Sequence, residues 1–155
     1  MSLPPELSAA KLRPHWFVCA ATLLSLVGYN LVCHLWGGEL QLEWDEQQRV
    51  LIRSILYGVA IVLFPFVNLL RHILLRLNQT MPGAKTASQR YLLTIIVTQS
   101  LIEPVGLFGL TMFLLGDGFN TLYIFSTMHL LGIFLHKPKL SEYLAIESAL
   151  SNENS

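Results

Sequence analysis

The chain has 155 residues, of which 53% are hydrophobic and 13% charged, about half the charged share of a soluble domain, roughly 25%. Ten Lys and Arg balance ten Asp and Glu, and the mean hydropathy is +0.52. The length suits one domain, and the balance excludes a disordered chain, a basic nucleic-acid binder and an acidic tail protein. A neutral chain this apolar has too little polar surface to stay dissolved, so an integral membrane protein is expected.

Residues 1–13 carry Lys11 and Arg13 and read as a cytoplasmic N-terminal segment, with Pro14 suited to the first turn of a helix. Trp16 to Trp36 then runs without a charge, long enough at 1.5 Å per residue to cross a hydrocarbon core of about 30 Å. It lacks a small-x-small site, so it reads as a span and not as a cleaved signal. Val50 to Leu70 is a second span, with Arg53 near its start and Pro65 near its end. Tyr91 to Leu115 is a third, with Glu103 and Pro104 near its middle, and Phe119 to Leu135 is a short, uncharged fourth. The fold class expected is all-α: a four-helix transmembrane bundle with spans near 16–36, 50–70, 91–115 and 119–135.

The connections support two hairpins. Thr86 and Gln89 form a capping-box pattern that restarts a helix after Met81-Pro82-Gly83. Gly116-Asp117-Gly118 is a tight turn, which makes spans three and four a close antiparallel pair. After Pro138, Leu140, Tyr143, Leu144 and Leu150 are expected on one face of a short helix lying on the membrane over 137–150. Residues 1–150 then form a single integral membrane domain, and 151–155 a disordered tail.

Charge sets the orientation. Lys11, Arg13, Arg71, Arg76, Lys85, Arg90, Lys137 and Lys139 fall on one side, whereas Glu39, Glu43, Asp45, Glu46 and Asp117 fall on the other with Arg49. Basic residues stay on the cytoplasmic side, so both termini are expected there and the protein is multi-pass in the inner (cytoplasmic) membrane. Trp16, Trp36 and Trp44 sit where aromatic belts form. Cys19 and Cys33 fall near opposite faces of span one, too far apart to bridge.

Glu103 is the leading candidate for chemistry. A carboxylate at mid-bilayer costs about 3 kcal/mol on insertion scales, so it should be protonated, paired or facing a cavity. Gln99 at i−4 and Gly106 at i+3 share its face, and Pro104 frees the carbonyl of Ser100. On span four, Ser126, His129, Gly132 and His136 share a face. Counted from the turn, Glu103 lies 12 residues below Leu115 and His129 lies 9 below Asn120, a difference of about one helical turn. A Glu103–His129 contact is therefore expected, either as a packing hydrogen bond or as a proton relay or ion site.

Weaker candidates lie elsewhere. Asn30 and His34 on span one, with Arg53 and Tyr57 on span two, mark a substrate pocket near the outer face, Arg53 reaching toward the acidic loop from Glu39 to Glu46. Two of His15, His72 and His136 at the cytoplasmic edge could ligate a haem between helices. Otherwise no catalytic residue, metal site or cofactor is expected.

The run from Ser100 to Leu110, with Glu103 ahead of Gly106-Leu-Phe-Gly109-Leu, resembles the ion-carrying helix of rotary-ATPase proteolipid subunits. That resemblance implies proton or sodium carriage by Glu103. As a whole the chain resembles the small four-helix inner-membrane proteins of bacteria. The function expected is that of a non-catalytic subunit or accessory factor of a larger membrane complex. The alternatives are a proton- or cation-conducting component using Glu103 with His129, and a haem-binding redox subunit. The partners expected are the lipid bilayer and other membrane subunits or a second copy, with no nucleic acid.

Overall fold

The computed structural model describes the backbone of residues 5–153 and the side chains of 10–152. Five helices follow one another: α1 (Pro5–Leu40), α2 (Glu46–Thr80), α3 (Ala87–Leu114), α4 (Phe119–Leu135) and α5 (Leu140–Glu153), and no strand occurs among the described residues. Helix starts have local causes. The Asp45 carboxylate accepts from the backbone N–H groups of Gln47 and Gln48 at the head of α2. At the head of α3 the capping box is complete, Thr86 accepting from Gln89 N–H and the Gln89 side chain accepting from Thr86 N–H.

Ala10–Leu40, Glu46–Thr80 and Ala87–Leu114 are long and apolar enough to cross a membrane. Their outward faces carry large apolar side chains, among them Phe17, Leu24, Ile61 and Val62, each at least 65% exposed, a surface that suits lipid and not water. Helix α4, at 17 residues, is shorter than the roughly 20 residues that span a typical hydrocarbon core.

Helix α3 is the hub. It packs against α1, α2, α4 and α5, whereas α1 and α2 pack on either side of it and make little contact with each other. Small residues allow the close approach of α3 and α4: a Cβ on Gly132 would meet Ile102, and one on Gly109 would meet Phe125. At one end the Leu42 N–H donates to the Leu114 carbonyl and Arg49 donates to the Gly116 carbonyl, tying the α1–α2 loop to the α3–α4 turn. Gly116 takes φ +91° in that turn, a conformation other residues rarely adopt.

At the opposite end Arg71 is the organising residue. Its guanidinium, 4% exposed, donates to the carbonyls of His136 and Lys137 and pairs with Glu142 of α5 at 2.6 Å. Tyr91 adds a hydrogen bond to the same carboxylate at 2.8 Å, and Lys11 pairs with Glu147 at 2.6 Å. These contacts clamp α5 onto the ends of α2 and α3.

Several expectations change. Helix α1 begins at Pro5, so the N-terminal segment is helical from there and Pro14 lies inside the helix. The docked face of α5 is Tyr143 and Ile146, with Leu150 packed alongside, while Leu140 and Leu144 face outward. Either face is apolar enough to bury; the buried Arg71–Glu142 pair selects the one that turns inward, with Lys11–Glu147 lying at its edge. Residues 151–153 continue α5 and are not part of a tail; 154–155 lie outside the described residues.

Candidate functional site

Between the two ends, the α1–α3–α4 interface carries a ladder of buried polar groups, and Glu103 sits near its middle. Its Oε1 accepts a hydrogen bond from the Tyr29 hydroxyl of α1 at 2.5 Å. Its Oε2 faces His129 Nε2 of α4 at 3.5 Å. Neither that oxygen nor either ring nitrogen of His129 has a hydrogen-bond partner among the described residues. The imidazole is fully buried and fits only because residue 106 is glycine: a Cβ there would run into His129 Nδ1. The expected Glu103–His129 juxtaposition is present, but at 3.5 Å it is about 0.3 Å beyond the normal hydrogen-bond range. A carboxyl oxygen and an imidazole nitrogen thus face each other, neither with another hydrogen-bond partner among the described residues, while the second carboxyl oxygen is held by Tyr29.

Gln99 does not join Glu103. It is fully buried one turn away, its amide donating toward Cys19 Sγ and the His136 carbonyl while its oxygen accepts from Thr22. Ser126 bonds Asn30 of α1 at 2.9 Å, the next rung toward the loop end. One rung further, His34 Nε2 accepts from the Tyr123 hydroxyl at 2.9 Å. The expected pocket of Asn30, His34, Arg53 and Tyr57 does not form: Asn30 and His34 line a groove between α1 and α4, whereas Tyr57 stacks on Phe125 at 4.6 Å. Arg53 pairs with Asp117 of the tight turn, both carboxylate oxygens at 3.1 Å. It therefore reaches the α3–α4 turn and not the acidic α1–α2 loop.

The histidines considered for haem are dispersed in role. His72 is exposed on α2. His15 is buried against Tyr91 and close to the Ser88 carbonyl. His136 is buried, its Nδ1 donating to the Gly132 carbonyl at 2.9 Å, and burial lowers its pKa below the usual histidine value.

Tyr29 and Arg71 were not singled out by sequence reasoning. Tyr29 had a signal, a hydroxyl-bearing ring in the middle of an uncharged span and next to Asn30. Arg71 had one too, since it is the first charge after the apolar run from Val50 to Leu70 that carries only Arg53.

Glu103 also has an outward aspect. About 20% of its side chain stays exposed, and on the same helix Leu93, Ile96, Ser100 and Leu107 are exposed at helical spacing. The Glu103 side chain therefore borders the lateral surface of the protein at mid-helix, while its Oε2 is buried against His129.

No protein-family model, curated protein or solved structure matches this chain.

Proposed function

We propose that this chain is a multi-pass protein of the inner (cytoplasmic) membrane, with α1–α4 all crossing and both termini cytoplasmic, that serves as a subunit or accessory factor of a larger membrane complex. The observation that carries this reading is the lateral exposure of Ser100, with part of the Glu103 side chain beside it, at mid-helix. Lipid chains offer such groups no hydrogen bond, and intramembrane ionisable residues normally face protein or water. A neighbouring membrane helix supplies what lipid does not. Purification in mild detergent tests it: a co-purifying membrane subunit is expected, lost or weakened on Glu103→Leu, and a lone monomer would overturn the reading.

A second reading is favoured by the 3.5 Å approach of Glu103 to His129: the pair carries a proton, as the resemblance of residues 100–110 to proteolipid ion-carrying helices also implies. A hydrophobic carbodiimide should then label Glu103, with labelling suppressed in His129→Gln or by competing cations. An unreactive Glu103 would sink it.

A further inference from the structure

The groove between α1 and α4 has a volume of about 650 Å³, within the range of small-molecule sites. Its composition is graded along the helices. Toward the loop end it presents Asn30, His34, Tyr123 and Ser126; further along, Leu23, Val27 and Leu130. No Lys, Arg, Asp or Glu lines it. A polar end near the membrane edge and an apolar end toward the middle match the way a lipid of the outer leaflet stands.

The hydrogen bonds define the head group further. His34 Nδ1 lies 2.8 Å from the Asn30 carbonyl; a carbonyl only accepts, so Nδ1 carries the proton and Nε2 is the acceptor. The Tyr123 hydroxyl therefore donates to Nε2. The Asn30 amide donates to the Leu26 carbonyl and to Ser126 Oγ, each at 2.9 Å, and Ser126 donates back to Asn30 Oδ1 at 3.3 Å. Thr127 donates to the Tyr123 carbonyl at 2.8 Å. Every side-chain donor of this row is thus engaged inside the protein. What remains open are lone pairs on the hydroxyl oxygens of Tyr123, Ser126 and Thr127, so a ligand head must donate. A phosphate cannot donate when ionised, and it brings a charge that nothing in the groove neutralises.

We propose that this groove binds a neutral lipid with a hydroxyl head group, of the diacylglycerol kind, its hydroxyl on Tyr123 and Ser126 and its chain along Leu23, Val27 and Leu130. This rests on α1 and α4 both lying in the bilayer, as proposed above. The test uses the full chain in vesicles of phosphatidylcholine and phosphatidylglycerol, with a diacylglycerol carrying a photoreactive diazirine in its acyl chain. Adducts are expected in residues 23–34 and 123–130, displaced by dioleoylglycerol and not by added phosphatidylglycerol. Val27, 54% exposed, can be enlarged without entering the core; Val27→Trp fills the apolar half and should lower labelling about tenfold or more, a loss of at least 1.4 kcal/mol. Tyr123→Phe keeps the ring, removes an acceptor and should weaken binding severalfold. Adducts spread over α2, equal displacement by phosphatidylglycerol, or full labelling of both variants would each overturn the proposal. Failure of the membrane placement itself would appear separately, as loss of opposite-side labelling of residues 43 and 84.

Discussion

At the scale of single residues, the Glu103 centre makes the sharpest demands. A buried imidazole and the buried carboxyl oxygen that faces it should not contribute independently. In a cycle of Glu103→Gln, His129→Gln and the double variant, we expect a coupling on the order of 0.5–3 kcal/mol in detergent unfolding; additivity would mean that the 3.5 Å approach has no energetic content. Gly106→Ala pushes a methyl into the imidazole and should cost about 1–3 kcal/mol by the same measurement. His136 gives a pH dependence. Burial holds its imidazole neutral in the fold, so the unfolded chain takes up a proton near pH 6.5 that the native one resists. Stability should therefore be full above that value and decline as the pH falls below it, and His136→Gln should flatten the slope. The meeting of Glu103 and His129 was legible in the sequence because a short turn fixes the register of α3 on α4. Tyr29 was not, because a long helix and two loops separate it from Glu103 and nothing local sets its depth.

At the scale of elements, α5 is held by two ion pairs of different kinds. Arg71 is buried, so Glu142→Ala leaves a desolvated guanidinium without its counter-charge, which typically costs about 3–5 kcal/mol. Limited proteolysis after residue 139 should report the same event as faster cleavage. Lys11→Ala removes a solvated partner and should barely change either readout. The existence of α5 could be read from its apolar spacing, and its docked face could not. Leu140, Tyr143, Leu144, Ile146 and Leu150 offer more apolar positions than one face can bury, and the deciding contact comes from α2. The same limit applies to Arg53: its place near the start of span two was legible, but its partner Asp117 depends on how the turn folds over α2.

At the scale of the whole molecule, the two ends differ in construction. One is closed by a backbone hydrogen bond between Leu42 and Leu114 with Arg49 and Arg53 gripping the α3–α4 turn, the other by a buried charge cluster around Arg71 that docks α5. With Cys19 and Cys33 both buried, single cysteines at Glu43 and Ala84 can be read against a low background. An impermeant maleimide should reach them from opposite sides of the membrane, and same-side labelling would break the proposed topology. The long spans were evident from apolar length alone, since lipid demands it. The central position of α3 was not, because hydropathy carries no information about which span neighbours which. That position has a consequence for biogenesis. Ribosomes deliver α1 and α2 first, yet these helices make little contact with each other. A chain stopped after residue 85 would leave two inserted helices free to drift apart in the bilayer, with Arg71 lacking the carbonyls of residues 136 and 137. The first half of the protein therefore depends for its arrangement on a helix not yet synthesised, and α3 acts in time as the keystone that it is in space.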